Sequence, residues 1–90
     1  MGTAGTNTIT TGAGTDGITG GTGVDTITSG DGVDTIVAGN SNDIINAGDG
    51  NDIITGGAGA DQLTGGAGSD TFTYTAVTES SGANIDSVLD

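Results

Sequence analysis

Residues 20–37 read GGTGVDTIT followed by SGDGVDTIV. Both nine-residue blocks carry glycine at positions 2 and 4, aspartate at position 6 and a large aliphatic residue at position 8. The pattern continues in both directions without a slip. From Gly2 to Thr73 the chain divides into eight blocks: GTAGTNTIT, TGAGTDGIT, GGTGVDTIT, SGDGVDTIV, AGNSNDIIN, AGDGNDIIT, GGAGADQLT and GGAGSDTFT. An unbroken short period makes each block one structural unit, which buries its apolar residue by stacking on copies of itself.

Position 8 holds Ile9, Ile18, Ile27, Ile36, Ile45, Ile54, Leu63 and Phe72. Positions 7 to 9 therefore read as a three-residue strand with only its middle side chain pointing inward. The outer positions are mostly threonine, as at Thr26 and Thr28, which suits a solvated sheet face. Positions 1 to 6 are turn chemistry, with glycine in special backbone conformations and aspartate tolerating them. Strand, turn, strand and turn make a coil of 18 residues, so the eight blocks make about four coils. At about 4.8 Å per rung such an array is roughly 20 Å long. The expected fold is all-β: a right-handed parallel β-roll with odd blocks in one sheet and even blocks in the other. Residues 2–73 are its array. Residues 74–90 break the period and read as a C-terminal cap, with TFTYTAV continuing as a strand, ESSGAN as a turn and IDSVLD as a second short strand.

The charge balance limits what such an array can do. The 90 residues include 12 acids and no Lys, Arg or His, for a net charge of −12. Self-repulsion of that size opposes compaction, and no basic side chain can pair with a carboxylate. Nothing can neutralise phosphates, which excludes an ordinary nucleic-acid surface. No basic patch exists to attract an anionic membrane, and no apolar run is long enough to insert in one. The core is thin, with Phe72 and Tyr74 as its two aromatic residues, and cysteine is absent, so no disulfide can substitute. The natural counter-ion is a metal cation, and oxygen-only ligands favour a hard one, calcium or magnesium. Met1-Gly2 leads straight into the first block, the beginning expected of a piece of a longer protein.

Position 6 holds Asn7, Asp16, Asp25, Asp34, Asp43, Asp52, Asp61 and Asp70. Residues two blocks apart stack, so Asp16, Asp34, Asp52 and Asp70 form one column and Asn7, Asp25, Asp43 and Asp61 the other. Stacked carboxylates repel without a cation between them. Calcium takes roughly six to eight oxygens at about 2.4 Å. One carboxylate from above, one from below and the carbonyls of glycine-rich turns can supply them.

The array resembles the RTX (repeats-in-toxin) calcium-binding nonapeptide modules of secreted bacterial proteases, lipases, toxins, adhesins and surface-layer proteins, over about four fifths of the chain. The resemblance implies calcium held between turns two blocks apart, by position-6 side chains and by backbone carbonyls of positions 1 to 4. The implied carbonyl positions are Gly12 and Gly14 in block 2, Gly20, Gly21, Thr22 and Gly23 in block 3, and Ser29, Gly30, Asp31 and Gly32 in block 4. They continue with Ala38, Gly39, Asn40 and Ser41, then Ala47, Gly48, Asp49 and Gly50, then Gly56, Gly57, Ala58 and Gly59, and finally Gly65 and Ala67. Gly21, Gly23 and Asp25 would share an ion with Ala38, Asn40 and Asp43; Gly30, Gly32 and Asp34 would share one with Ala47, Asp49 and Asp52. Eight blocks contain six such pairs, hence about six ions.

Departures from the pattern carry their own expectations. Asn7 replaces aspartate, so its site with Asp25 should be the weakest. Ser41 stands where glycine is usual, so its turn should be strained or looser. Asp31 and Asp49 are extra acids, either added ligands or solvated side chains. GAGTDG at 12–17 fits a dinucleotide-binding glycine motif, but no long strand precedes it and no helix follows. The threonine rows are broken by Gly17, Ile44, Asn46, Ile53 and Gln62, which argues against an ice-binding face. With no His, Cys or Lys the segment is expected to be non-catalytic. The resemblance implies type I secretion from a Gram-negative bacterium, disorder without calcium and folding in extracellular calcium. As an isolated module the chain is expected to be a monomer. The alternative is a structural calcium-dependent part of a surface layer or adhesin.

Overall fold

The computed structural model describes residues 4–73 and 87–89. Among these described residues nine strands follow one another: β1 (Thr8–Thr10), β2 (Gly17–Gly21), β3 (Thr26–Asp31), β4 (Thr35–Asn40), β5 (Ile44–Asp49), β6 (Ile53–Ala58), β7 (Gln62–Thr64), β8 (Thr71–Thr73) and β9 (Ser87–Leu89). Odd strands form one sheet in the order β1-β3-β5-β7-β9, and even strands form the other, β2-β4-β6-β8. Every pairing is parallel. Within the array each residue faces the one 18 further on, as in Ile27↔Ile45 and Ile36↔Ile54. The result is a β-solenoid of about four coils whose spacing is twice the sequence period.

The position-8 side chains meet between the sheets. Ile18, Ile27, Ile36, Ile45, Ile54 and Leu63 are buried, and Ile9 and Phe72 pack against them at the two ends. Threonines of positions 7 and 9, such as Thr26, Thr28 and Thr35, face solvent.

The strands of the middle coils are longer than three residues. β3 to β6 run for six, from position 7 through position 3, and the side chain at position 1 also turns inward. Ala38 and Ala47 join the core, and Ser29 is buried beside them. The reason is the stacking of turns as well as strands. The register resumes past position 1 at Gly30↔Gly48 and Gly39↔Gly57. Turn amides keep bonding the next coil, as in Gly32 N–H to the Asp49 carbonyl (2.8 Å) and Gly50 N–H to the Ala67 carbonyl (2.9 Å). This close approach requires glycine. Gly50 has φ +127°, and a Cβ there would land on the Gly32 carbonyl.

β9 pairs with β7 at Gln62↔Ser87, an offset of 25 residues (87 − 62) in place of 18. It lies within the IDSVLD stretch; the rest of the tail, including the expected turn, lies outside the described residues.

Candidate metal centre

The position-6 side chains are drawn into the solenoid rather than left on its turns. Asp25, Asp34, Asp43, Asp52 and Asp61 are buried, and Asp16, Asp70 and Asn7 are half-buried. Small residues at position 1 leave the room: a Cβ on Gly20 would stand 2.6 Å from Asp25 Oδ2, and one on Gly56 would stand 2.5 Å from Asp61 Oδ2.

Each carboxylate from Asp25 onward then uses one oxygen to tie two coils together. Oδ1 accepts the backbone N–H of the position-6 residue one coil earlier. Asp16 donates to Asp34 at 2.9 Å, Asp25 to Asp43 at 2.8 Å, Asp34 to Asp52 at 2.8 Å, Asp43 to Asp61 at 2.8 Å and Asp52 to Asp70 at 3.0 Å. Both expected columns are therefore present, one per edge of the solenoid.

The second oxygen has no such partner. Oδ2 of Asp16, Asp25, Asp34, Asp43, Asp52 and Asp70 is buried and accepts no hydrogen bond. An ionised carboxylate can only accept, so these atoms sit among other acceptors in a chain that has no cationic side chain. Burying charge without a partner is costly. The carboxyl of Asp43 accordingly rises to about 7. Burial is the main cause; the Asp25 amide opposes it, and the charges of Asp61 and Asp25 add to it. Asp52 is pushed up for the same first reason.

At Asp25 the unpartnered oxygen lies near a carbonyl. The space that a Gly20 Cβ would fill borders both Asp25 Oδ2 and the Ala38 carbonyl oxygen, from adjacent coils. Two oxygens directed at one small space, with no donor between them, suit a hard cation. Among the described residues no three acidic side chains converge on a point. A cation here would draw on carboxylates in pairs and complete its shell from carbonyls.

The remaining expected positions fall into groups. Gly14, Gly21, Gly23, Gly30, Gly32, Gly39, Gly48, Gly50, Gly57 and Gly59 have positive φ, and Gly12 does not. Ser41 adopts φ 88°, the left-handed conformation its block needs, and so carries the expected strain. At position 3 the side chains of Thr22, Asp31, Asn40, Asp49, Ala58 and Ala67 are exposed. Asp31 and Asp49 therefore stand in solvent, while their carbonyls accept the amides of Gly14 and Gly32. At position 1 the Ser29 carbonyl accepts the Thr11 hydroxyl, and the Ala47 carbonyl accepts the Ser29 hydroxyl, both at 2.6 Å. The Gly65 carbonyl accepts the Gly48 amide at 3.1 Å.

Sequence reading passes over two features. The inward hydroxyls of Thr11 and Ser29 give no sign in a pattern that treats position 1 as glycine-like. Gly5 is equally silent, although it is position 4 of its block and its carbonyl takes a hydrogen bond from Asn7.

This geometry places carboxylates and carbonyls at the repeat spacing of a known family. The family model described as RTX calcium-binding nonapeptide repeat (4 copies) matches residues 1–36 and again residues 37–72. The chain belongs to the RTX calcium-binding repeat family. No curated protein and no solved structure matches it. The RTX repeats of this chain are thus calcium-binding nonapeptides wound into a β-solenoid. Among the described residues no helix is long and apolar enough to cross a membrane.

Proposed function

We propose that this RTX array is a calcium-driven folding module of a larger exported bacterial protein. Ions bind between blocks n and n+2, each held by two position-6 carboxylates and by turn carbonyls of positions 1 to 4. The row of buried Oδ2 atoms without donors, in a chain with no basic residue, carries this reading. In the metal-free state those carboxylates oppose the solenoid, because desolvation and mutual repulsion act on every coil. A divalent ion reverses both terms, so its binding free energy becomes folding free energy. The module is disordered where calcium is scarce and folded where it is millimolar, which favours passage out of a cell in the unfolded form. It performs no catalysis itself. Residues 2–73 are the folding unit and residues 74–90 close its C-terminal end.

Far-UV circular dichroism during a calcium titration, with magnesium as control, tests this. A cooperative coil-to-β transition with calcium alone is expected, since magnesium demands tighter octahedral geometry and sheds water reluctantly. A spectrum already β-like in chelator, and unmoved by calcium, would refute it.

A further inference from the structure

The first coil differs from the others at position 6. Asn7 occupies position 6, where the seven later blocks carry aspartate. Its backbone N–H reaches Asp25 Oδ1 at 3.0 Å, as the aspartates reach theirs. Its side-chain nitrogen does something no aspartate can. Nδ2, with two hydrogens to give, lies within hydrogen-bonding distance of three acceptors: Asp25 Oδ1 at 2.9 Å, the Gly5 carbonyl at 3.2 Å and the Gly20 carbonyl at 3.4 Å. Three acceptors around one atom identify that atom as the nitrogen of the amide.

Those three oxygens come from position 4 of block 1 and from positions 1 and 6 of block 3. Moved along by the 18-residue register, the equivalent set around Asp25 is Gly23, Ala38 and Asp43, and around Asp43 it is Ser41, Gly56 and Asp61. In those blocks the atom corresponding to the amide nitrogen is a carboxylate oxygen. Asp25 Oδ2 and Asp43 Oδ2 are buried there and accept no hydrogen bond. The later coils thus bring oxygen against oxygen and need a cation from outside, whereas the first coil supplies hydrogens of its own. Asn7 also adds no charge to a crowded column, and an ion entering here would have to displace the amide from its acceptors and meet one carboxylate in place of two.

We propose that Asn7 is a built-in plug, whose amide takes the place of calcium between blocks 1 and 3. In the folded array the N-terminal coil then keeps its register without an ion between blocks 1 and 3, and the array binds five ions instead of six, one for each n, n+2 pair with aspartate at both ends. Once calcium has folded the later coils, this end needs no ion of its own. This rests on the calcium reading of the later pairs.

The test counts ions on the whole chain by native mass spectrometry and calorimetry, for the wild type, Asn7→Asp and Asn7→Ala. Asn7→Asp installs the residue that every other block carries, so the fold tolerates it. Expected are five ions on the wild type and six on Asn7→Asp, the sixth shifting the amide resonances of Gly5, Gly20 and Asp25. Asn7→Ala should keep five ions but exchange its Thr8–Thr10 amides roughly tenfold faster, as loss of a hydrogen-bonded anchor requires. Six ions on the wild type overturns the plug, and so does an unchanged five on Asn7→Asp. No ion on the wild type overturns the calcium reading of the repeats, and the plug with it.

Discussion

Replacing Ile36 by alanine should move the calcium midpoint of folding by a predictable factor. Ile36 is fully buried in β4, in register with Ile18 below and Ile54 above. Alanine there removes apolar contact and leaves a cavity between the sheets, at a cost of about 3 kcal/mol within the usual range for such truncations. If folding is linked to roughly five ions, that cost is shared among them, at about 0.6 kcal/mol per ion. The midpoint concentration then rises about threefold, because each ion contributes RT times the logarithm of its concentration. Thr35→Ala is the control, on the same strand but facing solvent; its cost should stay within about 0.5 kcal/mol, and its midpoint nearly unchanged. Far-UV circular dichroism against free calcium reads both. Equal shifts for the two variants would refute the two-sheet core, and a shift of about tenfold or more for Ile36→Ala would mean that far fewer ions are linked to folding.

The other predictions address the carboxylates and the turns. Asp43→Asn removes the carboxylate shared by the Asp25 and Asp61 pairs, so native mass spectrometry should show fewer bound ions than the wild type; an unchanged count would remove Asp43 from the ligand set. In chelator, acidification should favour the solenoid. Asp43 is raised from 3.8 to about 7 in the fold, so its contribution is fully present below pH 3.8 and is lost as pH rises through about 7. Asp52 acts in the same direction. A metal-free spectrum that gains no β signal between pH 7 and pH 4 (approximate bounds of that window) would contradict this. Ser41→Gly should relieve the left-handed strain at φ 88° and lower the calcium midpoint, at a gain of about 1 kcal/mol. Gly50→Ala should raise it well beyond the threefold shift of Ile36→Ala, because its Cβ meets the Gly32 carbonyl, which is backbone and cannot step aside.

Much of the fold is legible in the repeat. A row of Ile, Leu and Phe at one position in nine can be buried only by stacking, and the alternation of blocks between two sheets follows from the length of strand and turn. Ser41 announces its own strain, because every other block from the second onward carries glycine there. The strand ends are less legible. β3 to β6 continue through position 3 because stacked turns exchange amide hydrogen bonds with the next coil, and a block read alone contains nothing of its neighbour.

The sequence alone determined the period, the apolar row, the two columns of position-6 residues, the lack of any internal counter-charge and membership of a calcium-binding family. Each of these depends on residue type and spacing, which are linear properties. Only the tertiary structure decided what each side chain does with its atoms. It turned position 1 inward and placed the Ser29 hydroxyl on the Ala47 carbonyl. It gave each carboxylate from Asp25 onward one oxygen bonded to the preceding coil, and set the other oxygen of Asp25 near the Ala38 carbonyl. It put the Asn7 amide among three oxygens. The physical reason is that most of these contacts, the Asn7–Gly5 one apart, join residues 13 to 18 apart across adjacent coils. Their direction is set by backbone angles in the glycine turns, and the nine-letter pattern specifies that glycine is present without specifying where its neighbours then point.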